Sequence, residues 1–295
     1  MQFEQIVTGH CLVEAPRWDG ERLWYTDILL GGLYCLDPDG SERSWLKART
    51  IMGGLALNHD GKVICSGTHS LAWADPASGE TGTLATELGG APINGINDIF
   101  PDGRGGLWLG SVDHNGLRAG QLNFGQSELW HLAPDGKASR HFTGMSFSNG
   151  IGLSPDGETL YMNDSGTGTY AHALNPDLTI ASSRLLCDNP DIDGLAVDAE
   201  GGVWTAGIQS GDIVRIMPDG REDRRIAIPG GHAVALTFGG ADLRDLYVTN
   251  AADGAGAAVT SGPEVQSAVP RTAGVLRARS EVAGLPMARA GFGIG

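Results

Sequence analysis

The sequence predicts an all-β fold, a six-bladed β-propeller with four-stranded antiparallel blades around a central channel. Three observations predict it: a glycine-rich composition, one hairpin that recurs six times, and a near-constant spacing between its copies. Glycine supplies 46 of 295 residues without a collagen-like period, as expected of many tight turns between short strands. The recurring hairpin places an aromatic or β-branched residue at the centre of a short apolar strand. Its central residues Trp24, Ile64, Trp108, Tyr161, Trp204 and Tyr247 lie 40, 44, 53, 43 and 43 positions apart. A period of roughly 40–50 residues with about four short strands per period is the pattern of propeller blades.

In chain order the copies are GERLWYTD (Gly20 to Asp27), GKVICSGT (Gly61 to Thr68), GGLWLGSVD (Gly105 to Asp113), GETLYMND (Gly157 to Asp164), GGVWTAG (Gly201 to Gly207) and RDLYVTN (Arg244 to Asn250). A short apolar strand and a turn precede each copy, as in NGIGLSPDG before the fourth and DGLAVDAEG before the fifth. Asp-Gly and Glu-Gly pairs supply the positive φ of tight hairpins. Alternating stretches such as GGLYCLDPDG and GDIVRIMPDG read as further strands, and no segment carries a sustained helical period with caps. The longest interval implies an insertion near Asp113 to Glu128, expected as a loop over one face. Gly254 to Gly262 is small and loop-like. Six copies occupy residues 1–295 with little left over, so the expectation is a single propeller domain.

Lys plus Arg number 20 against 35 Asp plus Glu, a net charge of −15. Such a surface repels nucleic-acid phosphates and anionic lipid, which excludes nucleic-acid and membrane partners from the expected set. Cys11, Cys35, Cys65 and Cys187 form no CxxC pair, which argues against a thiolate zinc site and a disulfide scaffold. Met1 to Gly9 lacks a signal-peptide pattern and no apolar run reaches the length of a span, so a cytoplasmic protein is expected. A monomer or weak homodimer is expected.

In a propeller the innermost strands line the channel, so polar residues at one repeated position converge. Counting back from the central residue gives Glu14 (10 before Trp24), Asn97 (11 before Trp108), Asn149 (12 before Tyr161) and Asp193 (11 before Trp204). The same count reaches Gly53 in the second repeat, and the sixth offers only Ala233 or His232 nearby. Taken singly, these residues also suit turns. Together, two carboxylates and two amides form an all-oxygen set suited to a hard divalent cation, Ca²⁺, Mg²⁺ or Mn²⁺, with Zn²⁺ also acceptable.

The motifs EAPRW (Glu14 to Trp18), IND (Ile96 to Asp98), SNGIGLSPDG (Ser148 to Gly157), IDGLAVDAEGGVW (Ile192 to Trp204), and TFGG followed by LYVTN (Thr237 to Asn250) come in an order that resembles the senescence-marker-protein/gluconolactonase/luciferin-regenerating-enzyme family. The resemblance runs from Glu14 to GVLRA near Gly274. It implies one divalent channel metal held by Glu14, Asn149 and Asp193, with Asn97 as a substrate contact or further ligand. It also implies a small-molecule substrate, a sugar lactone or related cyclic ester, with Asp193 taking a proton from the attacking water and Asn97 orienting the carbonyl or stabilising the oxyanion. One departure stands out: many sugar lactonases of the family carry Arg where this chain has Gly95. Met52, Met145 and Phe147 would make the pocket mouth apolar or fill blade cores, and His114 and Arg118 could replace the missing polar contacts. His69 and His232 are candidates for the pocket wall, and Asp98 and Asp164 for partners behind the ligands. GxSxG, HxH and HExxH are absent, which disfavours serine and histidine-metal chemistry. Two alternatives remain: an esterase, phosphotriesterase or ring-opening enzyme on a non-sugar metabolite, and a non-catalytic ligand-binding propeller.

Overall fold

The computed structural model describes residues 1–119 and 125–295. Six four-stranded antiparallel sheets carry the chain. The first comprises Val13–Trp18, Leu23–Asp27, Leu33–Leu36 and Glu42–Trp45; the second Leu55–Leu57, Val63–Cys65, Leu71–Ala74 and Thr81–Ala85. The third comprises Ile96–Pro101, Leu107–Ser111, Ser127–Leu132 and Ala138–Met145; the fourth Ser148–Leu153, Thr159–Asp164, Gly168–Leu174 and Ile180–Cys187. The fifth comprises Leu195–Val197, Val203–Ala206, Asp212–Ile216 and Glu222–Ala227. The first strand of every blade packs against the first strands of its two neighbours, which closes a ring around the axis.

The sixth blade is assembled differently. Ala233–Gly239, Asp245–Asn250 and Ala273–Arg279 are joined by the N-terminal strand Phe3–His10 on the outside, antiparallel to Ala273–Arg279. The two ends of the propeller are thereby tied by main-chain hydrogen bonds across the whole sequence.

Burial falls from the axis outward. Val13–Trp18 is almost wholly buried, whereas the outer strand Ile180–Cys187 is mostly exposed. All six central residues of the repeated hairpin are buried between blades, Trp108 and Trp204 completely. Each such side chain contributes about 1.5–3 kcal/mol relative to an exposed one. The turn preceding each of these strands uses the same device. The side chains of Asp19, Asp60, Asp102, Asp156, Asp198 and Asp242 each accept a hydrogen bond from a backbone N–H two residues on. Part of the chain's acidity is therefore turn chemistry.

Helical turns occur where loops were expected. The insertion after the third blade's second strand begins with α1 (His114–Arg118), whose N-cap Asp113 accepts from Gly116 N–H at 3.0 Å; residues 120–124 of that insertion lie outside the described residues. Residues 254–262 are likewise not simply a loop: α2 (Ala255–Ala258) buries Ala255 and Ala258, and α3 (Pro263–Ser267) follows, with Pro263 at its first position. A helix built from alanine and glycine offers no apolar period to detect, and its burial comes from tertiary packing. No helix among the described residues is long and apolar enough to cross a membrane.

Candidate functional site

The four polar residues found by counting do meet. Glu14, Asn97, Asn149 and Asp193 all line one cavity of about 260 Å³ at one end of the channel. The local reason is a bulge repeated around the ring. Pairing between first and second strands slips between Glu14 and Arg17, between Ile96 and Ile99, and between Ser148 and Ile151. A bulge leaves residues outside the ladder and re-aims their side chains, here Asn97 and Asn149 directly, with Glu14 at the bulge's edge. In the first blade Ala15 takes φ +47°, a conformation a non-glycine residue adopts at a cost, and its N–H donates to Glu14 Oε2 at 3.1 Å.

Asp193 precedes its strand and is pinned through its backbone. Its N–H donates to Ala206 O at 2.8 Å, and its C=O accepts from Gly150 N–H at 3.0 Å and from Asn163 Nδ2 at 2.8 Å. The fourth and fifth blades approach so closely there that a Cβ on Gly150 would lie 2.9 Å from Asp193 O, and the fifth and sixth so closely that one on Gly194 would lie 2.5 Å from Ala235 Cβ. Glycine at these two positions is thus a condition for Asp193 to reach the channel.

The amide orientations follow from their partners. Ser165 Oγ donates to Ile192 O at 2.5 Å, so toward Asn149 it accepts, and Asn149 Nδ2 faces it at 2.8 Å. Asn149 Oδ1 therefore points at the channel side, where Asn97 Nδ2 donates to it at 2.6 Å. Asn97 Nδ2 also donates to Ser148 O at 2.9 Å. Both amide hydrogens of Asn97 are committed, and the group it has left for a ligand is its oxygen.

Asp98 repels both Glu14 and Asp193, and Asp193 repels Glu14. Burial, then Asp193, then Asp98 push Glu14 well above the usual carboxylate range. Burial, then Asp98 and Asp191, push Asp193 up to about 8, and burial raises Asp98 against the opposing Arg17. Arg17 is itself buried, 3.3 Å from Asp98 Oδ1. Among the described residues the Asp193 carboxylate accepts no hydrogen bond. An unsatisfied buried carboxylate beside a second one, with amide oxygens close by, is a donor set that a hard divalent cation fits. Among the described residues no group of three or more His, Cys, Asp or Glu is placed to hold a metal; half of this set is asparagine.

The other expectations divide. Phe147 and His114 line the cavity, and burial, then Arg118 and His69, keep the His114 imidazole below its usual range. Met52 and Met145 do not line it; both are buried in hydrophobic cores, Met52 with Leu55, Leu57 and Trp24, Met145 with Trp108, Leu129 and Ile151. Arg118 does not reach the cavity. His69 stands edge-on to His114 at 6.3 Å, and His232 bonds Ile208 O at 2.8 Å and Asp253. Asp98 does stand behind the site, paired with Arg17, and Asp164 accepts from Phe147 N–H at 2.9 Å. At Gly95 the backbone has φ +148° and a Cβ would lie 2.7 Å from Val112 O and 3.0 Å from His114 Cβ, so no side chain fits there without rebuilding the wall. Sequence reasoning missed Arg17 and Ser165, whose roles depend on contacts across blades.

The profile described as SMP-30/Gluconolactonase/LRE-like region matches residues 12–252. The pentonolactonase XacC of Haloferax volcanii is 28% identical over 275 residues, covering 88% of each chain. Regucalcin of Xenopus laevis is 30% identical over 254 residues, 82% of this chain and 83% of that one. Among solved structures, a regucalcin from Agrobacterium tumefaciens, described as a calcium-binding protein, superposes with a TM-score of 0.79 at 25% identity, covering 97% of this chain and 96% of that one.

Proposed function

The chain belongs to the SMP-30/gluconolactonase/LRE-like family, and from that premise we propose that it is a divalent-metal-dependent hydrolase that opens a lactone ring. The observation that carries the reading is the meeting of Glu14, Asn97, Asn149 and Asp193 on one cavity. The lactonase name of the Haloferax relative and the calcium-binding description of the Agrobacterium structure support it.

Glu14, Asn149 and Asp193 would hold one ion, Ca²⁺, Mg²⁺, Mn²⁺ or Zn²⁺. When bound, such an ion supplies Lewis-acid polarisation of the lactone carbonyl and offsets the repulsion between the carboxylates. The chain's residues do the rest. Asp193, fixed through its backbone on both sides, holds the attacking water and takes its proton as oxygen adds to the carbonyl carbon. The ring C–O bond then breaks, and the ring oxygen leaves with a proton as the alcohol of a hydroxy acid. Asn97 keeps the Asn149 oxygen aimed at the channel and contacts the substrate through the amide oxygen it has left. Arg17 opposes the effect of burial on Asp98 behind the site and holds that carboxylate in place.

A single domain over residues 1–295, cytoplasmic and a monomer or weak homodimer, with a small-molecule lactone or ester as its partner, is part of the same reading. The test is lactone hydrolysis with and without added divalent ion, in the native protein and in Glu14→Gln. The reading expects ion-dependent turnover that Glu14→Gln reduces at least a hundredfold. Turnover indifferent to chelator would remove the metal from it.

A further inference from the structure

Above its polar floor the cavity changes character. Nine of the nineteen residues lining it are Leu, Ile, Val or Phe. Among the described residues its acidic side chains are Glu14 and Asp193 on the floor, and no Lys or Arg lines it. Leu12, Ile28 and Ile208 come from loops at the channel end, while Leu117 of α1 and Val259, at the C-cap of α2, belong to the two helical turns that border it. The wall at Gly95 is bare backbone with His114 packed on it, leaving no place for a long donor side chain.

A polyhydroxylated lactone would bring several hydroxyls into this space, each giving up water and finding few partners on the apolar side. The amide hydrogens of Asn97 are already committed to Ser148 and Asn149. An alkyl or aryl substituent meets the opposite situation, since every buried methylene is released from water against Leu, Ile and Val. We propose that the site takes lactones bearing an apolar alkyl or aryl substituent, with the ester group on the polar floor and the substituent against Leu117, Val259 and Ile208. The chemistry in this inference rests on the lactonase reading; the binding preference does not.

The test measures two quantities on the full chain supplied with divalent ion. One is kcat/KM for γ-butyrolactone, γ-hexalactone, γ-octalactone, D-xylonolactone and D-gluconolactone. The other is the affinity, by calorimetry, for the matching alkyl-substituted pyrrolidinones, which a lactonase does not open readily. Both should rise about fourfold per added methylene, the factor corresponding to ~0.8 kcal/mol per CH₂, until the cavity is filled. Val259→Asn should flatten that rise, with Ile208→Asn as the independent check should the first variant fold poorly. Preference for the sugar lactones with chain-length-independent pyrrolidinone affinity would overturn the inference and leave the lactonase reading intact. Rising pyrrolidinone affinity with no lactone hydrolysed under any ion would support the binding preference and overturn the lactonase reading.

Discussion

Asp193→Asn separates what the buried carboxylates do for chemistry from what they do to the fold. In the metal-free protein Asp193 is 7% exposed, and burial, then Asp98 and Asp191, raise its carboxyl to about 8, against ~3.9 in an unfolded chain. Between these values the folded state binds the proton and the unfolded state does not. By linkage, the metal-free fold therefore loses stability as pH rises from about 4 to 8. At most ~1.4 kcal/mol is lost per pH unit in that window, so by pH 7 the loss is on the order of a few kcal/mol. Asp193→Asn removes that charge and part of the repulsion raising Glu14. The assay is denaturant unfolding of chelator-treated protein at pH 5, 6, 7 and 8, with the same series after adding Ca²⁺ or Mn²⁺. The expected result is a metal-free native protein that weakens with pH, a flatter profile in Asp193→Asn, and restoration by ion in the native protein alone. Equal slopes in the two proteins would refute the electrostatic reasoning.

Ser165→Ala should leave the fold intact while freeing the Asn149 amide to rotate, weakening ion affinity by about 10–100-fold in calorimetry. Gly194→Ala puts a Cβ 2.5 Å from Ala235 Cβ and should destabilise the propeller by about 1–3 kcal/mol in urea unfolding, with a larger loss of activity than of stability because Asp193 moves. Arg215→Met leaves Asp198 buried without the guanidinium 2.7 Å away, so a loss of about 3–5 kcal/mol is expected. Removing residues 1–10 takes away the outer strand of the sixth blade and exposes Ala273–Arg279 as an edge; thermal unfolding should become less cooperative and aggregation should rise.

The hairpins and the site were legible for the same reason. Both repeat, so Trp24 through Tyr247 mark the blades and a count back from each reaches the channel. Features that depend on distant partners were not legible. Phe3–His10 looks unremarkable because its partner lies some 270 residues away. Met52 and Met145 went to blade cores, where their neighbours come from strands distant in sequence, such as Trp24 and Leu33 around Met52 and Trp108 and Ile151 around Met145. The committed hydrogens of Asn97 depend on Ser148 and on an Asn149 oriented by Ser165, a chain of contacts spanning two blades.

Hydrolysis of a lactone panel by metal-stripped protein, with Ca²⁺, Mg²⁺, Mn²⁺ and Zn²⁺ restored one at a time, tests the central claim most directly. The account predicts turnover that one or more ions restore in the native protein and that Asp193→Ala, though folded, lacks with every ion. Undiminished turnover in Asp193→Ala, or none on any lactone with any ion, would contradict it.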